Sequence, residues 1–157
     1  MIGHCTRFSI CACAALLAAL PGAASAASPW DGIWALDPVR SSAEAKDAAA
    51  DAYRFTIDAH GNILWEIPSI GEVVKGRIDG NPMTIRRHGA ATDMTLSVVA
   101  DGPWALLYTV RRNAKPFGGG RMTLVDDGKA WVDLTWPGNH ARPGAFITYV
   151  KRLAGGR

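Results

Sequence analysis

Two arginines that end apolar strands are the side chains best placed for chemistry. In Met83-Thr84-Ile85-Arg86-Arg87 a two-residue period puts Arg87 on the face of Met83 and Ile85. In the segment from Leu106 to Arg112 the same period puts Arg112 on the face of Leu106, Tyr108 and Val110. If those apolar faces point inward, both guanidinium groups stand at one end of an interior, where each can grip a carboxylate through two parallel hydrogen bonds. The other reading is a pair of strand-end charges reaching out to water. Aromatic residues, Trp65 and Tyr108 among them, offer a surface for the apolar part of such a molecule, although a barrel also uses rings simply to fill its core.

Other chemistry finds little support. His60, His88 and His140 have no metal-ligand spacing among them, so no metal is expected and they read as solvated loop residues. There is no G-x-S-x-G, and neither Ser69 nor Ser97 has the setting of an activated nucleophile. Asp126-Asp127 is a carboxylate pair, but Gly128-Lys129 follows at once and makes it hairpin-turn chemistry. No catalytic residue and no cofactor is expected.

The compartment is written in the first residues. Met1 to Arg7 carries one positive charge, an apolar run extends from Phe8 to Leu20, and Pro21-Gly22 leads into Ala24-Ser25-Ala26. These are the three regions of a secretory signal peptide cut after Ala26. The expectation is a signal peptide over 1–26 and one domain over 27–157, periplasmic or secreted, touching the membrane only during export. A bilayer-spanning helix needs about 20 apolar residues, more than this run supplies. Cys5, Cys11 and Cys13 are all the cysteines, and all precede the cut, so the domain has no disulfide and no thiol. Ile10-Cys11-Ala12-Cys13 loosely resembles a lipobox, but most of the apolar run follows Cys13 rather than preceding it. The 17 Lys and Arg against 14 Asp and Glu are interspersed without a basic block, which argues against a nucleic acid partner.

Along the domain, the period of two recurs between turn signals. Strands are expected over Ile33–Leu36, Tyr53–Ile57, Ile63–Ile67, Glu72–Ile78, Met83–Arg87, Met94–Val99, Trp104–Arg112, Arg121–Val125, Lys129–Trp136 and Ala145–Arg152. Gly118-Gly119-Gly120 reads as a break before one of them. Ser41 and Glu44 have the spacing of a capping box, leading into an alanine-rich helix over Ala43–Ala52 that lies where a lid would sit. Short hairpins in sequence favour an all-β, antiparallel up-and-down barrel of about eight to ten strands with one short helix after the first. A β-sandwich is the alternative.

The domain opens Trp30-Asp31-Gly32-Ile33-Trp34-Ala35-Leu36-Asp37-Pro38-Val39-Arg40-Ser41. This resembles the start of small exported bacterial lipocalin-like proteins, of the calycin type, with the pattern W-x-G-x-W-x-L-(D/N)-P-x-(K/R)-S. The resemblance implies a lipocalin-like barrel in which Trp34 packs across the closed end beneath a basic side chain. Arg152 is the first candidate for that side chain and Lys151 the second. The resemblance bears on the fold alone; export, barrel topology, aromatic content and the strand-end arginines point to an exported binding protein holding an apolar or amphiphilic, even anionic, small molecule in its interior, with Arg87, Arg112, Tyr108 and Trp65 as its ligand-binding residues. The alternative is a protein–protein module, an inhibitor or envelope-stress factor, with a packed core and a binding surface at the loops Ala114–Gly120 and Pro137–Gly144.

Overall fold

The alternating segments form ten strands in the computed structural model, which describes residues 27–43, 49–138 and 144–152. They are β1 (Gly32–Leu36), β2 (Ala52–Ile57), β3 (Asn62–Ile67), β4 (Glu72–Arg77) and β5 (Met83–Arg87). Then follow β6 (Ala90–Ala100), β7 (Ala105–Arg112), β8 (Lys115–Val125), β9 (Ala130–Pro137) and β10 (Ala145–Lys151). The expected signal peptide, most of the alanine-rich run and His140 lie outside the described residues.

Every strand pairs antiparallel with its neighbours in sequence, and β1 pairs with β10, so the sheet closes into an up-and-down barrel. Trp34 lies opposite Lys151, Ala35 opposite Val150 and Leu36 opposite Tyr149 along the closing seam. Closure leaves no unpaired edge strand. The period of two does what it should: in β2, Phe55 and Ile57 are buried while Arg54 and Thr56 face out. The turn at Asp126-Asp127-Gly128 adopts the left-handed backbone its residue types tolerate, with φ of 53°, 54° and 76°.

One end of the barrel is filled by rings. Trp34 is 0 % exposed, and its Nε1 donates to the Trp30 carbonyl at 2.9 Å. Trp131 lies edge-on to Trp34 at 6.5 Å and stacks on Tyr149 at 4.2 Å. The basic group over Trp34 is Lys151, whose Nζ lies 5.1 Å from the ring centre and donates to the Pro29 carbonyl. Arg152, the first candidate for that position, is instead exposed, and its backbone N–H joins the Ile33 carbonyl. The register makes the choice by placing Lys151 opposite Trp34, and Gly32 leaves it room: with φ at +135°, a Cβ there would come within 2.9 Å of Lys151 Cε. The glycine of the G-x-W motif clears the path of the lysine.

Two further expectations need correction. The helix expected over Ala43–Ala52 cannot run its full length, because Ala52 begins β2 and 49–51 are not helical; residues 44–48 are outside the described set. Asp51 is already drawn into the sheet, its carbonyl accepting from Leu36 N–H at 2.9 Å. The glycine triplet is not a break but part of β8, so Lys115–Gly120 is strand and only Asn113-Ala114 forms a turn. Its glycines serve close packing: a Cβ at Gly119 would lie 2.6 Å from the Tyr108 carbonyl oxygen. That neighbour is backbone and cannot swing aside. Gly119→Ala is therefore expected to destabilise the domain by about 1–3 kcal/mol, the usual cost of overpacking. Urea unfolding should show a lower midpoint with an unchanged slope.

Candidate functional site

The end opposite Trp34 is where the strand-end arginines stand, and the register shows what they face. Inward residues Glu72 and Val74 on β4 put Glu72 directly opposite Arg87 of β5. Arg87 Nη2 donates to Glu72 Oε2 at 2.8 Å, so that guanidinium is already matched. Arg112 continues the inward face of Tyr108 and Val110, but its Cζ lies 4.4 Å over the Phe117 ring and its Nε is 3.8 Å from Asp93. Neither guanidinium lines the interior space.

That space is a partly open pocket of about 210 Å³ in the same half of the barrel. Three rings wall it, with Trp65 edge-on to Tyr53 at 5.7 Å and to Tyr108 at 5.8 Å. Ile67, Val74, Ile85, Leu96 and Val110 supply the aliphatic wall. Its charged residues are both acids, Glu72 and Asp133. Of the four residues expected to bind a ligand, Trp65 and Tyr108 therefore lie in the cavity wall; Arg87 reaches it only through Glu72, and Arg112 is outside.

Asp133 is the residue that sequence reasoning missed. It stands on the inward face of β9 beyond Trp131 and is 6 % exposed. Tyr108 donates its hydroxyl proton to Asp133 Oδ2 at 2.8 Å, while Oδ1 has no hydrogen bond within the protein. The Tyr108 ring reaches across β8 to do this, and Gly120 leaves it room. A Cβ at Gly120 would lie 2.6 Å from the Tyr108 ring and hydroxyl and 2.7 Å from Asp133 Oδ1. The signal was available: period two puts Asp133 on the face of Trp131 and Thr135, a carboxyl where an apolar residue belongs.

Burial raises the Asp133 carboxyl from an ordinary 3.8 to about 7, against the opposing pull of the Tyr108 hydrogen bond. Burial, and then the proximity of Asp133, push the Tyr108 phenol well above 10 and keep it a neutral donor. Tyr53 is raised by burial and by Asp133, and Tyr149 by burial first; the Tyr149 hydroxyl donates to the Ala50 carbonyl at 2.9 Å.

Two features lie on the outside. A larger cleft of about 750 Å³ opens where β4 and β5 splay apart, beyond the pairs Glu72–Arg87 and Val73–Arg86. Lys75, Arg77 and Arg86 border it, but it is open to water, and Arg86 is already bonded to the Gly89 carbonyl at 3.0 Å. An apolar row also crosses the wall: Phe146 and Leu134 are adjacent, as are Leu107 and Val99, with Arg121 between the pairs. It follows the strands rather than the loops. His60 and His88 are exposed. No protein-family model, no curated protein and no solved structure matches this chain.

The raised Asp133 value has a measurable consequence. The folded protein holds a proton there that the unfolded chain releases, so this contribution to stability is full below about pH 4 and is lost as pH rises to about 7. The slope is at most about 1.4 kcal/mol per pH unit. Asp133→Asn keeps an acceptor for Tyr108 and removes the titration. The variant should match the parent near pH 4 and exceed it in stability near pH 8, as read by urea midpoints at both.

Proposed function

We infer that this chain is an exported binding protein whose barrel interior holds one small, largely apolar molecule. The ring-walled pocket at the open half of the barrel carries this reading. Drug-sized ligands occupy sites of about 300–1,000 Å³. At about 210 Å³ this site suits something smaller, since an engineered apolar cavity of about 150 Å³ already takes benzene. The signal-peptide pattern over 1–26 and the resemblance of Trp30–Ser41 to exported lipocalin-like proteins support export to the periplasm or beyond.

An amphiphile gripped by Arg87 and Arg112 fits less well, because Glu72 already occupies Arg87 and Arg112 stacks on Phe117. The protein–protein alternative draws on the exposed row of Phe146, Leu134, Leu107 and Val99, which does not coincide with the loops first assigned to it.

Native mass spectrometry of the protein purified from its own exported fraction tests the reading. The expected result is a chain beginning at Ala27 with a small extra mass that denaturation releases. Val110→Phe, which fills the cavity from its rim, should retain the fold by circular dichroism and lose the extra mass. A bare chain in both forms would overturn interior binding and turn attention to the outer apolar row.

A further inference from the structure

The chemistry of the cavity wall also says what kind of molecule fits. We propose that the interior ligand is a small organic ammonium ion, an aryl- or alkylamine, whose positive charge faces the Asp133 carboxylate while its apolar body lies among Tyr53, Trp65 and Tyr108. This rests on the interior-binding reading and narrows it.

Three observations carry it. Asp133 is 6 % exposed, one of its oxygens is engaged by Tyr108 at 2.8 Å, and the other has no donor within the protein. A buried carboxylate oxygen without a donor calls for one from whatever shares its space. No basic side chain lines the cavity, so the protein does not neutralise Asp133 from within, whereas Glu72 has Arg87 at 2.8 Å. The remaining wall is aromatic and aliphatic, and ring faces attract a cation.

The same wall disfavours the other classes. An anionic ligand would bring a third negative charge beside Asp133 and Glu72. A pure hydrocarbon would leave Oδ1 without a donor. An alcohol supplies one proton but no charge, and is the nearest competitor.

Protons compete with the ligand for Asp133. The groups facing that carboxyl are the Tyr108, Tyr53 and Tyr149 phenols, all held neutral by burial, and the Glu72–Arg87 pair. Asp133 itself is therefore the group that sets the pH dependence of ligand binding. Affinity for an amine should fall about tenfold per pH unit below about 7, as the carboxyl takes up its proton.

Benzylamine, benzyl alcohol and benzoate share one skeleton and differ in the group offered to Asp133. Calorimetric titration of the mature protein near pH 8 should show benzylamine binding at least tenfold tighter than benzyl alcohol, with benzoate not binding. Asp133→Asn should weaken benzylamine by tenfold or more and leave benzyl alcohol within about threefold. Should that variant misfold, the pH series on the parent carries the test alone, because benzylamine stays protonated throughout. Benzyl alcohol or benzoate binding as tightly as the amine would overturn the ammonium assignment and leave interior binding standing. A benzylamine affinity unchanged in Asp133→Asn or flat across pH 5 to 8 would do the same. No binding of any of the three would overturn both.

Discussion

The barrel is shut by the contact between Trp34 and Lys151, and much of the structure follows from how that contact is made. No disulfide reinforces the seam, because Cys5, Cys11 and Cys13 all precede residue 27. β1 is only five residues long and must bond β2 on one side and β10 on the other. What holds it is the fully buried Trp34 indole, tied by its own N–H to the Trp30 carbonyl and covered by the Lys151 ammonium. A lysine over an indole shields the ring while its charge stays near water and the Pro29 carbonyl. Gly32 completes the unit, since any side chain there would collide with the lysine stem. Glycine, tryptophan and lysine act together, which is why a motif of so few residues can mark the start of a closed sheet.

From that end the rings spread upward and determine how much room remains. Trp131 touches Trp30, Trp34, Phe55 and Tyr149 in succession, leaving that half of the barrel packed. In the open half Tyr53, Phe55 and Tyr108 stand edge-on around Trp65. Into this half the fold places Asp133, at a cost. A buried carboxyl raised to about 7 weakens the protein at neutral pH, and Gly120 gives up a side chain so that Tyr108 can reach it. Leucine or valine would serve packing better. A residue that opposes stability and is supported by two others is the pattern expected of a binding site.

The fold was legible because each strand stated its own parity. Alternation in Tyr53–Ile57 and Ile63–Ile67 needs no knowledge of the rest of the chain, and turn residues such as Asp126-Asp127-Gly128 mark the boundaries locally. The errors came where one segment depends on another. Gly118–Gly120 looks like a turn in isolation, yet it is strand because Tyr108 on the neighbouring strand requires glycine opposite it. Arg152 and Lys151 are equivalent by composition, and only the register of β10 against β1 chooses the lysine.

The apolar wall of the candidate site was legible, whereas the charged residues lining it are acids, not the expected arginines. Trp65 and Tyr108 follow from parity alone, and both line the cavity. Arg87 and Arg112 also stand on the inward side of their strands, so the parity argument held for them as well. What parity cannot report is who sits opposite. Glu72 faces Arg87 across one hydrogen-bonded pair of strands and removes it as a receptor for a carboxylate. Asp133 has no such partner, because the residues opposite it on β8 and β10 are Met122 and Ile147, and Tyr108 offers it a proton but no charge. Two arginines and two acids on inward faces are balanced in a residue count. The register divides them unevenly, answering the charges at the rim and leaving an unanswered acid inside, and a site's preference is set by the charge that is left.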